Sequence, residues 1–272
     1  MKIEFTKMSG AGNDFVLVDN RSNAISDRSA SARILCDRRW GVGADGLLLV
    51  ERSEKADYKM MYYNADGSYG GMCGNGGRCV ARYAIVKGIA NREHSFEALD
   101  HVYHVAVQND AIRLSMKDPM DFRLNMRLSV LRKRLTVHYV DTGSPHVVVP
   151  AKGLTRKGLN FVDVAGLGKM IRFHRSFVPK GTNVNFIEVV DKSTLKMRTY
   201  ERGVEAETLA CGTGSIASAV VAALVWDLKP PIKIIPASSV PLSVDFVREG
   251  SRVTNVSLTG PATIVFTGAL DA

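Results

Sequence analysis

Cys73-Gly74-Asn75-Gly76-Gly77-Arg78 opens a stretch that returns, about half a chain later, as Cys211-Gly212-Thr213-Gly214-Ser215-Ile216. Counted from each cysteine, glycines match at the first and third positions. Alanines match further on, Ala81 with Ala219 and Ala84 with Ala222. An apolar helical run follows each cysteine, at 80–87 and 216–226, and a β-like run precedes each, at 58–63 and 195–200. Two copies of one strand–loop–helix unit imply an internal repeat with pseudo-twofold symmetry.

Working outward, short runs rich in β-branched and aromatic residues dominate. Strands are expected at 15–19, 47–50, 58–63, 103–107 and 112–116 in the first half. In the second half they are expected at 136–140, 147–149, 184–190, 195–200, 242–247 and 253–258. Helices are fewer. One is expected over 27–38, capped by Asp27 and carrying Ala30, Ile34 and Leu35 on one side; another is expected over 162–173, despite its glycines. The polar stretch 116–134, containing Pro119, reads as a crossing between the halves.

The bulk numbers set limits. A chain of 272 residues with 46% hydrophobic and 23% charged content is ordinary for a soluble globular protein. Its first residues lack the apolar run of a signal peptide, and 216–226 is too short to span a bilayer. A cytoplasmic location without membrane attachment is the expectation. The net charge of +9 suits an anionic small molecule as well as nucleic acid. The basic run 123–134 has no interleaved aromatics, so it reads as a solvated face, and no nucleic-acid partner is expected. The four cysteines form no Cys-x-x-Cys, which disfavours zinc; no metal and no cofactor are expected. Cys36 and Cys79, inside helical patterns, read as small buried hydrophobes.

Cys73 and Cys211 read differently. A Cys-Gly-x-Gly sequence opening a helix places the free N–H groups of the first turn beside the thiol. Those groups stabilise a thiolate or a substrate carboxylate, and a helix N-terminus lowers a cysteine pKa from about 8.5. Glycine-rich helix starts also bind phosphate, but that does not explain why cysteine leads both. Inverting a stereocentre by proton transfer needs a base on one face and an acid on the other, and two identical residues meet that need in both directions. Cys73 and Cys211 are therefore the candidate catalytic pair.

The ordered motifs around the pair resemble the diaminopimelate epimerase family over nearly the whole chain. They are Lys7-Met8-Ser9-Gly10-Ala11-Gly12-Asn13-Asp14-Phe15, Gly41-Val42-Gly43-Ala44-Asp45-Gly46, Asn64-Ala65-Asp66-Gly67-Ser68 and Met72-Cys73-Gly74-Asn75-Gly76-Gly77-Arg78-Cys79. Later come Ser144-Pro145-His146, Thr182-Asn183-Val184-Asn185-Phe186, Tyr200-Glu201-Arg202-Gly203 and Ala210-Cys211-Gly212-Thr213-Gly214. The resemblance implies interconversion of LL- and meso-diaminopimelate without pyridoxal phosphate or metal, in the lysine and peptidoglycan precursor pathway. It implies an α/β (α+β) fold of two pseudo-symmetric domains, each a mostly antiparallel curled sheet around a central helix, and a homodimer. The expected domains are 1–118, joined by a returning tail 262–272, and 119–261.

By the same resemblance, Asn13, Asn64 and Asn183 match side chains that hold substrate. Gly74-Asn75 and Gly212-Thr213 match backbone amides on the reacting carboxylate. Glu201 and Arg202 match a pair beside the site, with Arg202 suited to bidentate carboxylate binding. His146 matches a residue that tunes one thiol; a loop histidine bonded for structure fits the sequence equally well. Three departures stand out. Ser144 replaces a frequent Asn, Gly46 replaces a Gln of some members, and the loop 203–208 is one residue longer than usual. A proline or hydroxyproline racemase-like isomerase of the same fold, and a non-catalytic binder of phosphate or nucleic acid, are the alternatives.

Overall fold

A computed structural model describes residues 2–131 and 133–271; Met1, Arg132 and Ala272, and with Arg132 one position of the basic run, lie outside the described residues. Two units emerge. One runs to Ser115 and resumes at Thr259; the other is Met116–Leu258. The sequence reading placed these divisions at 118/119 and 261/262.

The first unit contains β1 (Lys2–Gly10), β2 (Asn13–Asp19), α1 (Arg28–Cys36), β3 (Gly46–Glu51), β4 (Tyr58–Asn64), α2 (Gly74–Val86), β5 (Glu93–Ala98), β6 (His101–Gln108) and β7 (Ala111–Ser115). The second contains β8 (Met120–Val130), β9 (Lys133–Asp141), β10 (Pro145–Pro150), α3 (Val164–Arg172), β11 (Asn183–Val189), β12 (Thr194–Glu201), β13 (Ala206–Thr208), α4 (Gly212–Trp226), β14 (Ile232–Ile235) and β15 (Leu242–Glu249). Strand β16 (Arg252–Pro261) carries the chain across the boundary, and β17 (Thr263–Asp271) completes the first unit by pairing antiparallel with β1.

The repeat seen in the sequence reappears as a repeated order of strand pairing. From β1 through β5 to β6, successive strands pair antiparallel, parallel, antiparallel, parallel, antiparallel. From β9 through β10, β11, β12 and β14 to β15 the order is identical. Each parallel step needs a crossover, which in α/β structures is usually a helix. In the first unit α1 and α2 fill those steps; in the second, α3 and α4 do so. The cysteine-led helix is the second crossover in both.

Each cysteine-led helix sits against several strands of its own unit, α2 on β1, β2, β3, β4 and β7, and α4 on β9, β10, β11, β12, β14 and β15. Helices covered on so many sides need small residues where strands come close. The four matched alanines, Ala81, Ala84, Ala219 and Ala222, are all fully buried. Helix α4 is buried along almost its entire length, from Gly212 to Ala223 with Thr213 half-buried, as expected of a helix apolar all round. The glycines of α3 have a related cause: a Cβ on Gly168 would lie 2.6 Å from Tyr200 Cγ of β12.

Several sequence expectations change. The stretch 116–134 is no simple crossing: most of it is β8, paired antiparallel with β9 through two register shifts. Asp121 and Asn125 take positive φ at those shifts, which breaks the alternation that marks a strand. Arg123 of the basic run stacks over the Tyr139 ring at 3.9 Å. In α1 the buried residues are Ala32, Leu35 and Cys36, while Ile34 is 66% exposed. Both cysteine-led helices begin at the glycine after the cysteine, earlier than the apolar runs suggest. Among the described residues no helix is long and apolar enough to cross a membrane.

Candidate active site

Cys73 and Cys211 occupy the same local position, each the N-cap of its helix. Their backbones are nearly superposable, at φ −124°, ψ 122° and φ −122°, ψ 114°. Each Sγ accepts from the backbone N–H three residues on, Gly76 at 3.5 Å and Gly214 at 3.4 Å. A sulfur therefore takes the place usually held by a Ser or Asp oxygen at a helix start. Cys73 is half-buried and Cys211 buried. A Cβ on Gly214 would collide with Asn185 Oδ1 and approach Cys211 Sγ, so that position admits only glycine without rearrangement. The other two cysteines are inert by environment: burial pushes the Cys36 and Cys79 thiols up to about 12.

In the first unit, the β1–β2 turn lies against the start of α2. Gly10 pairs with Asn13 across that turn, and a Cβ on Gly10 would lie 2.7 Å from the Asn75 carbonyl oxygen. Asn13, Cys73, Gly74 and Asn75 are thereby brought together. Asn13 Oδ1 is the sole side-chain nitrogen or oxygen among the described residues that is buried without a hydrogen-bond partner. An orphaned acceptor of this kind costs about 1–3 kcal/mol until a donor arrives. Asn64 differs. Its Oδ1 accepts from Tyr62 OH at 2.7 Å and its Nδ2 donates to Ser68 Oγ at 2.9 Å. Gly67, at φ 85°, lets the Asn64-Ala65-Asp66-Gly67-Ser68 turn close.

In the second unit, one network joins most of the expected residues. Thr199 Oγ1 donates to Asn185 Oδ1 at 3.0 Å, which turns the Asn185 amide nitrogen toward His146 Nδ1 at 3.1 Å. With Nδ1 accepting, the His146 proton resides on Nε2, facing the Thr213 and Ser144 hydroxyls at 2.9 and 3.0 Å. The Thr213 hydroxyl then reaches Cys211 Sγ at 3.6 Å. Burial, reinforced by the Arg202 charge, pushes His146 down to about 3, so it is neutral near pH 7. The Thr213 hydroxyl thus stands between His146 and the Cys211 thiol.

Asn183 donates from Nδ2 to Pro145 O at 3.1 Å and Ser144 Oγ at 3.3 Å, and accepts the Arg202 backbone N–H at 2.8 Å. Its amide thus positions Arg202 and the Ser144 loop. The Arg202 guanidinium bonds Lys180 O at 3.4 Å and has no carboxylate partner among the described residues. Glu201 accepts from Thr208 Oγ1 at 2.7 Å across the β12–β13 hairpin. Of the loop 203–208, residues 203–205 lie at the hairpin's tip and 206–208 are β13, with Gly203 at φ 93° and Glu205 tied to Arg172 at 3.0 Å. Asn185 and Tyr62 were not singled out by the sequence reading. They touch site residues from behind, and only the motif Asn183-Val184-Asn185 hinted at the former. Among the described residues no group of three or more His, Cys, Asp or Glu side chains is placed to hold a metal ion.

The family model for diaminopimelate epimerase matches residues 5–122 and 138–265, covering both cysteine-led units. The chain belongs to the diaminopimelate epimerase family. It is an isomerase by that membership. The diaminopimelate epimerase of Chlorobaculum tepidum is 40% identical over 267 residues, covering 97% of this chain and 99% of the relative. That of Aquifex aeolicus is 39% identical over 280 residues, covering 98% of each. Solved structures share the fold at much lower identity. A PhzF-family phenazine biosynthesis protein of Bacillus anthracis matches with TM-score 0.75 at 17% identity, covering all of both chains. A hydroxyproline epimerase of Agrobacterium vitis matches with TM-score 0.73 at 13% identity, covering 99% of this chain and 92% of that one. The two-domain, sheet-dominated fold expected from the sequence is thus that of this family and of these structures. At Gly46 the Tyr62 ring fills the space a side chain would need.

Proposed function

We propose that Cys73 and Cys211 invert one α-carbon of diaminopimelate by a two-base mechanism without metal or pyridoxal phosphate. The observation that carries this is the identical capping geometry of the two thiols in two units with the same strand order. One thiolate takes the α-proton and becomes a thiol, while the opposite thiol delivers its proton to the other face and becomes a thiolate. Between these transfers, negative charge spreads from the α-carbon into its carboxylate. The first-turn amides at Gly74-Asn75 and Gly212-Thr213 stabilise that charge, because preorganised N–H donors act where charge develops. The buried Asn13 Oδ1 suits an ammonium group of the substrate. Arg202, with no carboxylate partner among the described residues, suits the distal carboxylate as a bidentate partner. Asn64, Asn183, Glu201 and Ser144 shape the site mainly through bonds to their neighbours.

This assignment places the enzyme in lysine and peptidoglycan precursor synthesis, in the cytoplasm, as a homodimer with a small-molecule substrate and neither nucleic-acid nor membrane partners. The test is α-proton exchange and epimerisation of LL- and meso-diaminopimelate in heavy water by Cys73→Ala and Cys211→Ala. Each variant is expected to lose epimerisation entirely. Substantial epimerisation by either would refute the two-base reading.

A further inference from the structure

The hairpin that presents Arg202 carries a carboxylate of its own three residues on, at Glu205. The Glu205 N–H donates to Glu201 O at 2.8 Å, so residues 201–205 close into a single turn. Opposite charges three residues apart in one turn can pair across it. These two do not. The Arg202 guanidinium bonds Lys180 O at 3.4 Å and has no carboxylate partner among the described residues.

Glu205 is held elsewhere. Its Oε1 lies 3.1 Å from Arg172 Nε and 3.0 Å from Arg172 Nη2, and it accepts the Gly203 N–H at 3.0 Å. The Tyr200 side chain bonds the same carboxylate. Arg172, the last residue of α3, is itself fixed. Its side chain is only 12% exposed, and its guanidinium lies 4.5 Å from the centre of the Phe173 ring. It also fills the space beside Gly181, where a Cβ would collide with Nη1. From there Arg172 Nη1 donates to Lys180 O at 3.5 Å, the same carbonyl that Arg202 uses. Two arginines thus meet at one carbonyl, and the nearby carboxylate goes to Arg172 alone. The hairpin's other carboxylates are engaged as well, Glu207 with Arg198 and Glu201 with Thr208.

We propose that Arg172 is a positioning residue that holds the Glu205 carboxylate away from Arg202 and so leaves Arg202 free for the distal carboxylate of the substrate. This rests on the reading of Arg202 as the partner of that carboxylate. Without Arg172, Glu205 becomes an internal competitor for the guanidinium, within one turn of it.

The test is steady-state epimerisation of diaminopimelate by full-length variants, with thermal melts alongside. Arg172→Met should raise KM about fivefold and leave kcat near the parent's, the upper end of what one partly exposed ion pair contributes. Combining Arg172→Met with Glu205→Gln should return KM to the parent value, because the competing charge is gone. A merely structural Arg172 predicts the opposite, a double variant at least as impaired as Arg172→Met. That outcome, or an unchanged KM in folded Arg172→Met, would overturn the proposal. Glu205→Gln alone should leave KM no higher than the parent's. A raised KM there would also overturn it, even if Arg172→Met did not fold. Failure of the Arg202 reading is seen separately, as near-normal turnover by Arg202→Met.

Discussion

Replacing Thr213 with Val removes one hydroxyl and keeps the side chain's shape. That hydroxyl is the link between His146 Nε2 at 2.9 Å and Cys211 Sγ at 3.6 Å. A hydrogen bond to a charged group contributes about 1.5–3 kcal/mol, and the long contact to sulfur puts this one near the lower end. Losing about 1.5 kcal/mol from the Cys211 thiolate slows proton abstraction roughly tenfold at neutral pH. It also moves the rising limb of the pH profile for that direction up by about one unit. Stability should change little, because His146 Nε2 keeps Ser144 Oγ at 3.0 Å. A loss below about 1 kcal/mol corresponds to a Tm within about 4 °C of the parent for a chain of this size. Epimerisation would be followed in both directions across pH, with thermal melts alongside, and Thr213→Ser should restore the parent profile. An unshifted profile in Thr213→Val, or Thr213→Ser behaving like the valine variant, would refute the relay.

Arg202→Met should reduce kcat/KM for diaminopimelate by about 100-fold, the equivalent of about 3 kcal/mol of lost charge-assisted bonding, while the melting curve stays near the parent's. Near-normal turnover would remove Arg202 from substrate binding. His146 is held neutral, near 3 against about 6.5 when unfolded, so the unfolded chain binds the extra proton first. Its contribution to stability is full above about pH 6.5 and is lost as pH falls toward 3, a change of several kcal/mol. Urea midpoints should fall from pH 7 to pH 5 and fall less in His146→Asn; equal slopes would contradict this. Ala219→Leu should overpack α4 and cost about 1–3 kcal/mol in urea titration, with no loss meaning that the strands can recede.

The cysteine pair and its glycines were legible because a repeated helix start places the same residue types at the same spacing. The strand order was legible only in part. β8 was hidden by backbone irregularities at Asp121 and Asn125, and β5 by the polar residues Glu93, His94, Ser95 and Glu97. Ile34 was placed on the covered side of α1 because hydropathy alone ignores which strands exist to cover it. At the candidate site, residues with reactive or charged groups of their own stood out, whereas Asn185 and Tyr62 did not. Their contacts depend on partners far along the chain: Asn185 on His146, and Tyr62 on the space left at Gly46.

Strand β17 pairs with β1 in a register that sets Lys2 opposite Asp271, although the whole second unit lies between them in the chain. During synthesis the second unit therefore leaves the ribosome as one uninterrupted segment and can fold at once. The first unit emerges earlier, yet must wait with the edge of β1 uncovered until its last strand arrives. Translation order and folding order are thus opposed in the two halves, and a pause after the second unit prolongs the time that edge is open to a chaperone or to mispairing.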